Sequence, residues 1–492
     1  MVSQGENEYK KEIRILVVGS GLASYGACLG LINKKNIAID VIDVGLQTAY
    51  KDQPNHEVPN SKDHKGSFYA YGINDKRWNV TLNTKRICSS HAFGGYSKSY
   101  SGSILQPKSI DLEEWPLESK PTSSDYFKIV SSLNIRQQID ELNEAFPIDC
   151  IERNERINKK TYLGRSRIAV SEEKDDNGDI MIKPFDTSEI FLQWINLKKI
   201  NYLNERYVNR IENINNILSV EMECLNGVEK REYNLVFLGA GCVNTTAIID
   251  RSLFKNGGRS YKIKSAPFLL QLHLKIGKDE KSKSNILSGK DEYGLCKYFL
   301  EMKSRKTLDY WSHTQIGDLN RIIIKKVTNI FPQRFKYYAE IFLKQFKFSI
   351  TVFHSKLGPE INLVSTVKDK NQQLIEIEEK DYICNQRLTY ETKLAILSKF
   401  NRLRLIPIPF SQSLGDYFRK NKLGGWHFGG TIPMTEKPKD INECYSNGEI
   451  KGINGVFIID SSAFPSIPGS SVALLSMANA YRITKNKLRD IL

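Results

Sequence analysis

The stretch between residues 13 and 43 constrains the fold more than any other part of the chain. Ile13-Arg-Ile-Leu-Val-Val-Gly19 is a short apolar run suited to a strand covered on both faces. It passes into Gly19-Ser-Gly21-Leu-Ala-Ser24-Tyr-Gly26 and then into Ala27-Cys-Leu-Gly-Leu-Ile32, a helix-like stretch. A second apolar run, Ile37-Ala-Ile-Asp-Val-Ile-Asp43, ends in an acid 24 residues beyond Gly19. Strand, glycine turn, helix and returning strand make a βαβ unit. Its turn reads G-x-G-x-x-S, a dinucleotide fingerprint with Ser24 where Gly or Ala is more usual. Gly19 permits the tight turn, and Gly21 lets a pyrophosphate approach the backbone at the helix N-terminus. Asp43 is placed to accept hydrogen bonds from an adenosine ribose. The bland alternative is a structural βαβ unit that holds no ligand.

Two later segments repeat this chemistry. Phe93-Gly94-Gly95-Tyr96-Ser97-Lys98-Ser99-Tyr100-Ser101-Gly102 is a run of small residues whose backbone N–H groups can cradle phosphate or flavin, or simply form a surface loop. Tyr233-Asn-Leu-Val-Phe-Leu-Gly239-Ala-Gly241-Cys-Val-Asn-Thr-Thr-Ala-Ile-Ile249 is a buried-strand pattern entering a Gly-Ala-Gly turn and then a helix. Residues 201–211 and 217–224 read as strands. Residues 261–365 read as β-rich, interrupted by a basic, aromatic segment at 321–347. From about residue 420 glycine and turn signals are dense, with a strand at 456–460, a proline-marked loop and a helix from about Val472.

The chain has 492 residues, enough for two intertwined domains with a large core. With 40% hydrophobic and 26% charged residues, it is neither disordered nor a polytopic membrane protein by composition. Its formal charge of +15 favours anionic partners. No nucleic-acid-binding module is recognisable, so nucleic acid is not expected. The eight cysteines include no C-x-x-C and no zinc-finger spacing, so neither a metal site nor a disulfide scaffold is expected. The polar N-terminus lacks a signal-peptide core, and with the cysteine pattern it points to the cytoplasm. Between 321 and 356 eight Lys/Arg face one acid and alternate with aromatics. This is either a solvated face over core aromatics or a peripheral contact with anionic membrane through 321–347.

Taken in order, these pieces resemble the glucose–methanol–choline (GMC) family of flavin-dependent oxidoreductases, nearest to its pyranose-oxidase-like and bacterial branches. VVGSGLASYG resembles the family's FAD fingerprint, FGGYSKSYSG its second flavin-contact motif, and FLGAGCVNTTAII its returning strand. GGWHFGGTIPM and GVFIIDSSAFPSIPGSSVALLSMANAYRI resemble its C-terminal histidine motif, its Asp-x-Ser-x-Phe-Pro loop and its closing helix. The resemblance implies an α/β (α+β overall) architecture: a discontinuous Rossmann-like FAD-binding domain (1–118, 187–262 and 418–492) carrying an inserted β-sheet substrate-binding domain (119–186 and 263–417). Gly19, Gly21, Ser24 and Asp43 would hold the ADP half of FAD, Gly94, Gly95 and Ser97 would lie along the flavin and its phosphates, and Asp460 would lie near the ribityl chain.

The chain departs from the family twice. Ser99 stands where some members carry a histidine bonded to the flavin, which implies non-covalent FAD. Ser471 stands where many carry a second catalytic Asn or His, and a serine cannot replace an imidazole as proton acceptor. The chemistry implied is oxidation of a CH–OH group of an alcohol, sugar or sugar conjugate. His427 would be general base, because an imidazole titrates near neutral pH, with Ser471 beside it. The electron acceptor stays open among oxygen, a quinone and a protein. Of the other six histidines, His313 and His354 are candidates for lining the substrate pocket. The competing interpretation is a flavin-fold protein without turnover, serving a binding or structural role.

Overall fold

The computed structural model describes residues 12–45, 78, 80–83, 87, 89–98, 100, 102–133, 149–154, 159–165, 168–174, 178, 180–255, 257–276, 296–318, 324, 328–329, 332–367, 373–378, 386–408 and 427–491. Its organising layer is a five-stranded sheet in the order Val456–Ile458, Leu235–Leu238, Ile13–Val18, Ile37–Ile42, Asn201–Leu203. Every pair in it is parallel. Ile15, Leu16 and Val17 have no exposed surface, as expected of a strand covered on both faces. The strand order turns back across Ile13–Val18 and Leu235–Leu238. This places the crevice where α/β sheets bind ligands at the carboxyl ends of those two strands.

The helix Leu22–Leu31 packs between this sheet and the closing helix Val472–Ile491. A Cβ at Gly26 would run into the Met477 carbonyl, so the two helices meet backbone to backbone. Thr484 Oγ1 donates to Ala27 O at 3.1 Å across the same contact. The helix Ser123–Ser132 joins this body. Thr122 caps it, with Thr122 N donating to Asp125 Oδ2 at 2.8 Å, and Tyr126, Ile129 and Val130 enter the core shared with the parallel sheet. Strands Arg206–Ile214, Ile217–Cys224 and Gly227–Tyr233 form an antiparallel meander. Its first turn uses Asn215 and Asn216 at φ 52° and 65°, a conformation that asparagine tolerates well.

Two larger sheets and two short two-stranded ribbons, Met434–Thr435 with Cys444–Tyr445 and Val170–Lys174 with Ile180–Pro184, make up the remaining strands among the described residues. One of the larger sheets runs Phe428–Gly429, Gly257–Ser265, Glu360–Val367, Gln373–Glu378, Val80–Asn83. The other runs Leu405–Pro407, Phe268–Lys275, Phe346–Val352, Trp311–Asp318, Cys296–Lys303, Lys159–Arg165, Asp149–Asn154, and every neighbouring pair in it is antiparallel. Only Ala266 and Pro267 separate Gly257–Ser265 from Phe268–Lys275, so one stretch of chain joins the two sheets. The packing divides the chain differently from sequence pattern at two points. Residues 123–133 pack with the parallel-sheet body although they lie within 119–186, where charge-rich composition masks a short capped helix. A boundary at 262/263 would cut the strand Gly257–Ser265. Among the described residues no helix is long and apolar enough to cross a membrane.

The Gly26 contact yields a direct test. Gly26→Ala has to separate two helices packed at backbone distance, and overpacking of this kind typically destabilises by about 1–3 kcal/mol. Urea unfolding should show a lower midpoint for Gly26→Ala, and an unchanged midpoint would mean that the closing helix moves freely.

Candidate functional site

Three glycine turns converge at the carboxyl edge of the parallel sheet. Gly19 N donates to Ile42 O at 2.7 Å, and Gly239 N donates to Val18 O at 2.9 Å. Gly19 adopts φ +97°, and a Cβ there would lie 2.5 Å from Gly239 O, so only glycine allows the first two turns to sit this close. The third turn is pulled in by Ser20, whose Oγ accepts from Gly94 N at 2.7 Å and donates to the Asp43 carboxylate. A Cβ built on Gly21 meets only the Gly95 Cα, at 3.9 Å, and one on Gly241 meets nothing within 4 Å. The cradle is therefore lined by bare backbone at Gly21, Gly95 and Gly241, the surface that a dinucleotide pyrophosphate needs.

Asp43 is buried, and burial pushes its carboxyl pKa up while hydrogen bonds from Ser20 and Gly45 N (2.9 Å) pull it down. Asp460 is likewise pushed up by burial. It accepts from Gly241 N at 2.9 Å, Thr245 Oγ1 at 2.5 Å, Ser462 N at 2.9 Å and Ser462 Oγ at 2.6 Å. Ser24 and Ser97 face elsewhere. Ser24 is fully buried and packs against the Gly239 turn, so it serves helix–strand packing, as the third residue of the fingerprint commonly does. Ser97 Oγ donates to Gly94 O at 2.7 Å and lies 2.9 Å from Thr187 Oγ1. Thr187 Oγ1 in turn reaches Ser20 O at 2.9 Å. Asp186 caps the helix Thr187–Asn196, accepting from Ser188 N at 2.9 Å. Residues 186–188 thus clamp the glycine loop. Sequence reasoning passed over them, although Asp186-Thr-Ser-Glu189 carries a capping pattern. Ser99 lies outside the described residues.

The cradle connects to His427 through the backbone. Gly430 N donates to Ser461 O at 2.8 Å, one residue after Asp460, and His427 O accepts from Ala266 N at 2.9 Å, at the junction of the two large sheets. His427 is half-buried. Its Nδ1 is enclosed without a hydrogen-bond partner among the described residues, and burial pushes its pKa down to about 4. His313, on the strand Trp311–Asp318, is 2% exposed, and neither of its ring nitrogens has a hydrogen-bond partner among the described residues. Burial pushes its pKa down to about 3, with further lowering from the charges of His427 and Lys108. Behind His313 stands Glu301, with Oε1 4.0 Å from Nδ1 and Oε2 paired to Lys108 Nζ at 3.0 Å. Among the described residues no group of three or more His, Cys, Asp or Glu converges as a metal site.

The remaining candidates separate by their partners. His354 stacks on Tyr310 with centroids 3.9 Å apart. Its Nε2 lies 3.2 Å from Asp111 O and its Nδ1 accepts from Lys356 N at 3.3 Å, so both nitrogens are engaged and the ring acts as a structural peg. Ser471 is buried and donates to Ser103 O at 2.6 Å. The loop that precedes it is fastened to the seven-stranded sheet. Ile467 N donates to Ser355 Oγ at 2.9 Å, and Gly469 lies against the Trp311 and Val352 carbonyls, the latter in the residue paired with His313. Ser471 therefore locks the closing loop beside His313, with its proton already donated.

Residues 392–480, which include His427, Asp460 and Ser471, match the family model described as GMC oxidoreductase. No curated protein matches the chain by sequence. Pyridoxine 4-oxidase from Mesorbium loti is structurally similar at a TM-score of 0.58 and 12% identity, over 97% of this chain and 99% of that one. An FAD-dependent oxidoreductase from Chaetomium thermophilum gives 0.59 at 13% identity, over 97% and 99%. A formate oxidase variant from Aspergillus oryzae RIB40 gives 0.59 at 11% identity, over 98% and 100%. At these identities the likeness is one of fold, and it runs along nearly the whole chain.

The depressed histidines predict a pH dependence with a definite sign. His313 is held near 3 in the folded state against an ordinary value of 6.5. Below 6.5 the unfolded chain therefore binds a proton that the folded chain refuses, and stability falls as pH drops from about 6.5 toward the folded value. Each such histidine contributes up to about 1.4 kcal/mol per pH unit in that window. His313→Asn should flatten the stability-versus-pH slope between neutrality and mild acid relative to the parent. Asp111, raised to about 6 by burial, acts in the opposite sense in both proteins and cancels in the comparison. Superimposable slopes would show that His313 already carries a proton when folded.

Proposed function

We propose that this chain, a member of the GMC oxidoreductase family, binds FAD non-covalently and oxidises a CH–OH group of an alcohol, sugar or sugar conjugate, with His427 as general base. The observation that carries the proposal is the enclosed, unpartnered Nδ1 of His427, within the family-matched segment, with a second unpartnered buried imidazole, His313, near enough to feel its charge. The bare-backbone cradle fits the pyrophosphate of FAD: Gly19, Gly21, Gly94 and Gly95 would line it, Asp43 would meet the ribose, and Asp460 with the Gly241 turn would meet the chain leading to the flavin. When bound, FAD supplies the acceptor for the hydride that leaves the carbinol carbon.

The protein's own task is the hydroxyl proton. Burial keeps His427 neutral at physiological pH and so able to accept a proton, while at about 4 it is a weaker base than the near-neutral imidazole expected from sequence. Burial, with a smaller contribution from the charge of His427, leaves His313 neutral to hydrogen-bond the substrate oxygen. Lys108 and Glu301 neutralise each other behind it. In this arrangement His313 supplies the second polar group of the site, and Ser471 acts through the loop it fastens. Ser471 also supports the competing interpretation, binding without turnover, because its proton is committed to Ser103 O.

Two measurements test this. The purified protein should be yellow, acid precipitation should release the flavin, and Gly21→Val should lose it, because a branched side chain would fill the space facing Gly95. Flavin remaining in the acid pellet would overturn non-covalent binding, and a colourless protein that cannot be reconstituted would overturn the cofactor. In anaerobic reduction with a panel of alcohols and sugars, His427→Ala should retain FAD but reduce it about 10²–10⁴-fold more slowly. Ser471→Ala should lose much less, because one neutral hydrogen bond is worth about 0.5–1.5 kcal/mol. Reduction of His427→Ala at the parent rate would end the assignment of His427 as base, and a parent protein that no donor reduces would favour the binding role.

A further inference from the structure

The helix Gln333–Leu343 turns its apolar face to solvent. None of its residues is buried. Phe335, Tyr338 and Phe342 recur at i, i+3 and i+7 and are 47%, 68% and 60% exposed, with Ile341 beside them at 44%. The opposite positions, Lys336, Ala339 and Leu343, are the more covered ones. An amphipathic helix of a soluble domain ordinarily buries its apolar stripe, and this one presents it. The stripe is ordered by its own contacts. Phe342 meets Phe346 edge-on with centroids 5.0 Å apart, and the Arg334 guanidinium lies 4.9 Å from the centre of the Phe335 ring. Arg334, Lys344 and Lys347 flank it in the chain, while Lys336 on the covered side donates to Asn329 Oδ1 at 3.2 Å. The one acid of the helix, Glu340, is bridged by Lys344 at 2.8 Å. In the sequence, eight Lys/Arg against one acid between 321 and 356 compares with 71 against 56 in the whole chain.

We propose that this helix docks the protein on an anionic lipid bilayer surface. Phe335, Tyr338, Ile341 and Phe342 would lie among the headgroups, and the flanking cations would meet lipid phosphates. Eleven residues make a helix only about 16 Å long, which suits lying in the interface and is too short to span it. Charge selects the lipid over a second copy of this chain, because two copies packed through this face would bring like charges together. Docking of this kind would hold the enzyme where a lipid-linked or envelope substrate is met. The docking proposal does not depend on the proposed chemistry.

Sedimentation with phosphatidylcholine vesicles, with and without phosphatidylserine, tests it. The protein should pellet with the phosphatidylserine vesicles at low salt and leave them as salt rises, because screening shortens the reach of each charge. Arg334→Gln should weaken partitioning about fivefold, the effect of removing one cation near an anionic surface. Phe335→Ser/Tyr338→Ser/Phe342→Ser should weaken it about tenfold or more through lost apolar burial. Thermal unfolding should be unchanged in both variants, because all three rings already face water. Equal pelleting with and without phosphatidylserine, no pelleting at all, or a triple variant that pellets like the parent would each overturn the proposal. A parent dimer that the triple variant converts to monomer, without vesicle binding, would assign the face to a second copy instead.

Discussion

The contact between Gly19 and Gly239 is the constraint on which the centre of the molecule depends. These residues end adjacent strands of the parallel sheet that are more than two hundred positions apart in the chain, and no side chain fits between them. Because they touch, the first helix begins at the same edge as the second nucleotide-type turn, and Ser24 packs directly beneath that turn. Asp460 extends the arrangement to a third segment. Its buried carboxylate gathers donors from Gly241, Thr245 and Ser462, so the strand Val456–Ile458 and the loop after it are held against the Gly241 turn. Removing a carboxylate so placed leaves several buried donors unsatisfied, a far larger penalty than the net value of one hydrogen bond. The glycine cradle and the position of His427 thus share one support.

What could be read from the sequence was local and periodic. The βαβ unit from 13 to 43, the strand and turn at 233–241, and the closing helix from Val472 each carry their signal within a short window, and each stands where that signal places it. His427 was legible because glycines and a tryptophan surround it in a recognisable order. His313 was much less so. In Trp-Ser-His-Thr-Gln-Ile it looks like any inward residue of an alternating strand, and its significance comes from a partner more than a hundred residues away. The same holds for Glu301 and Lys108, which become informative only as an ion pair behind that histidine, the glutamate buried and the lysine reaching in from the surface.

Residues singled out by motif also proved to differ in kind. Gly19, Gly21 and Asp43 line the cradle, whereas Ser24 and Ser97 hold its walls together. A motif records that a residue is needed at a turn without distinguishing touching the ligand from shaping the turn, and only hydrogen-bond partners separate the two. Ser471 illustrates the same point at the histidine site. As a departure from the family pattern it suggests lost chemistry. In the fold its hydroxyl ties the closing loop to Ser103, and the strand beside that loop brings in an imidazole.

Charge is partitioned in a way that links the two ends of this account. The chain carries a formal +15, yet the histidine site is close to neutral. Burial depresses both imidazoles, and Lys108 is matched by Glu301. Exposed cations such as Arg334 and Lys344 stand outside, at the helix Gln333–Leu343, where water and salt screen them over about 8 Å at physiological ionic strength. An imidazole loses basicity beside a fixed cation, so keeping the surface charge away from the histidines would leave the proposed base free to accept a proton. The seven-stranded sheet lies between the two regions. The hairpin of Trp311–Asp318 and Phe346–Val352 carries His313 on one strand, and the other strand begins where the chain leaves the exposed basic helix.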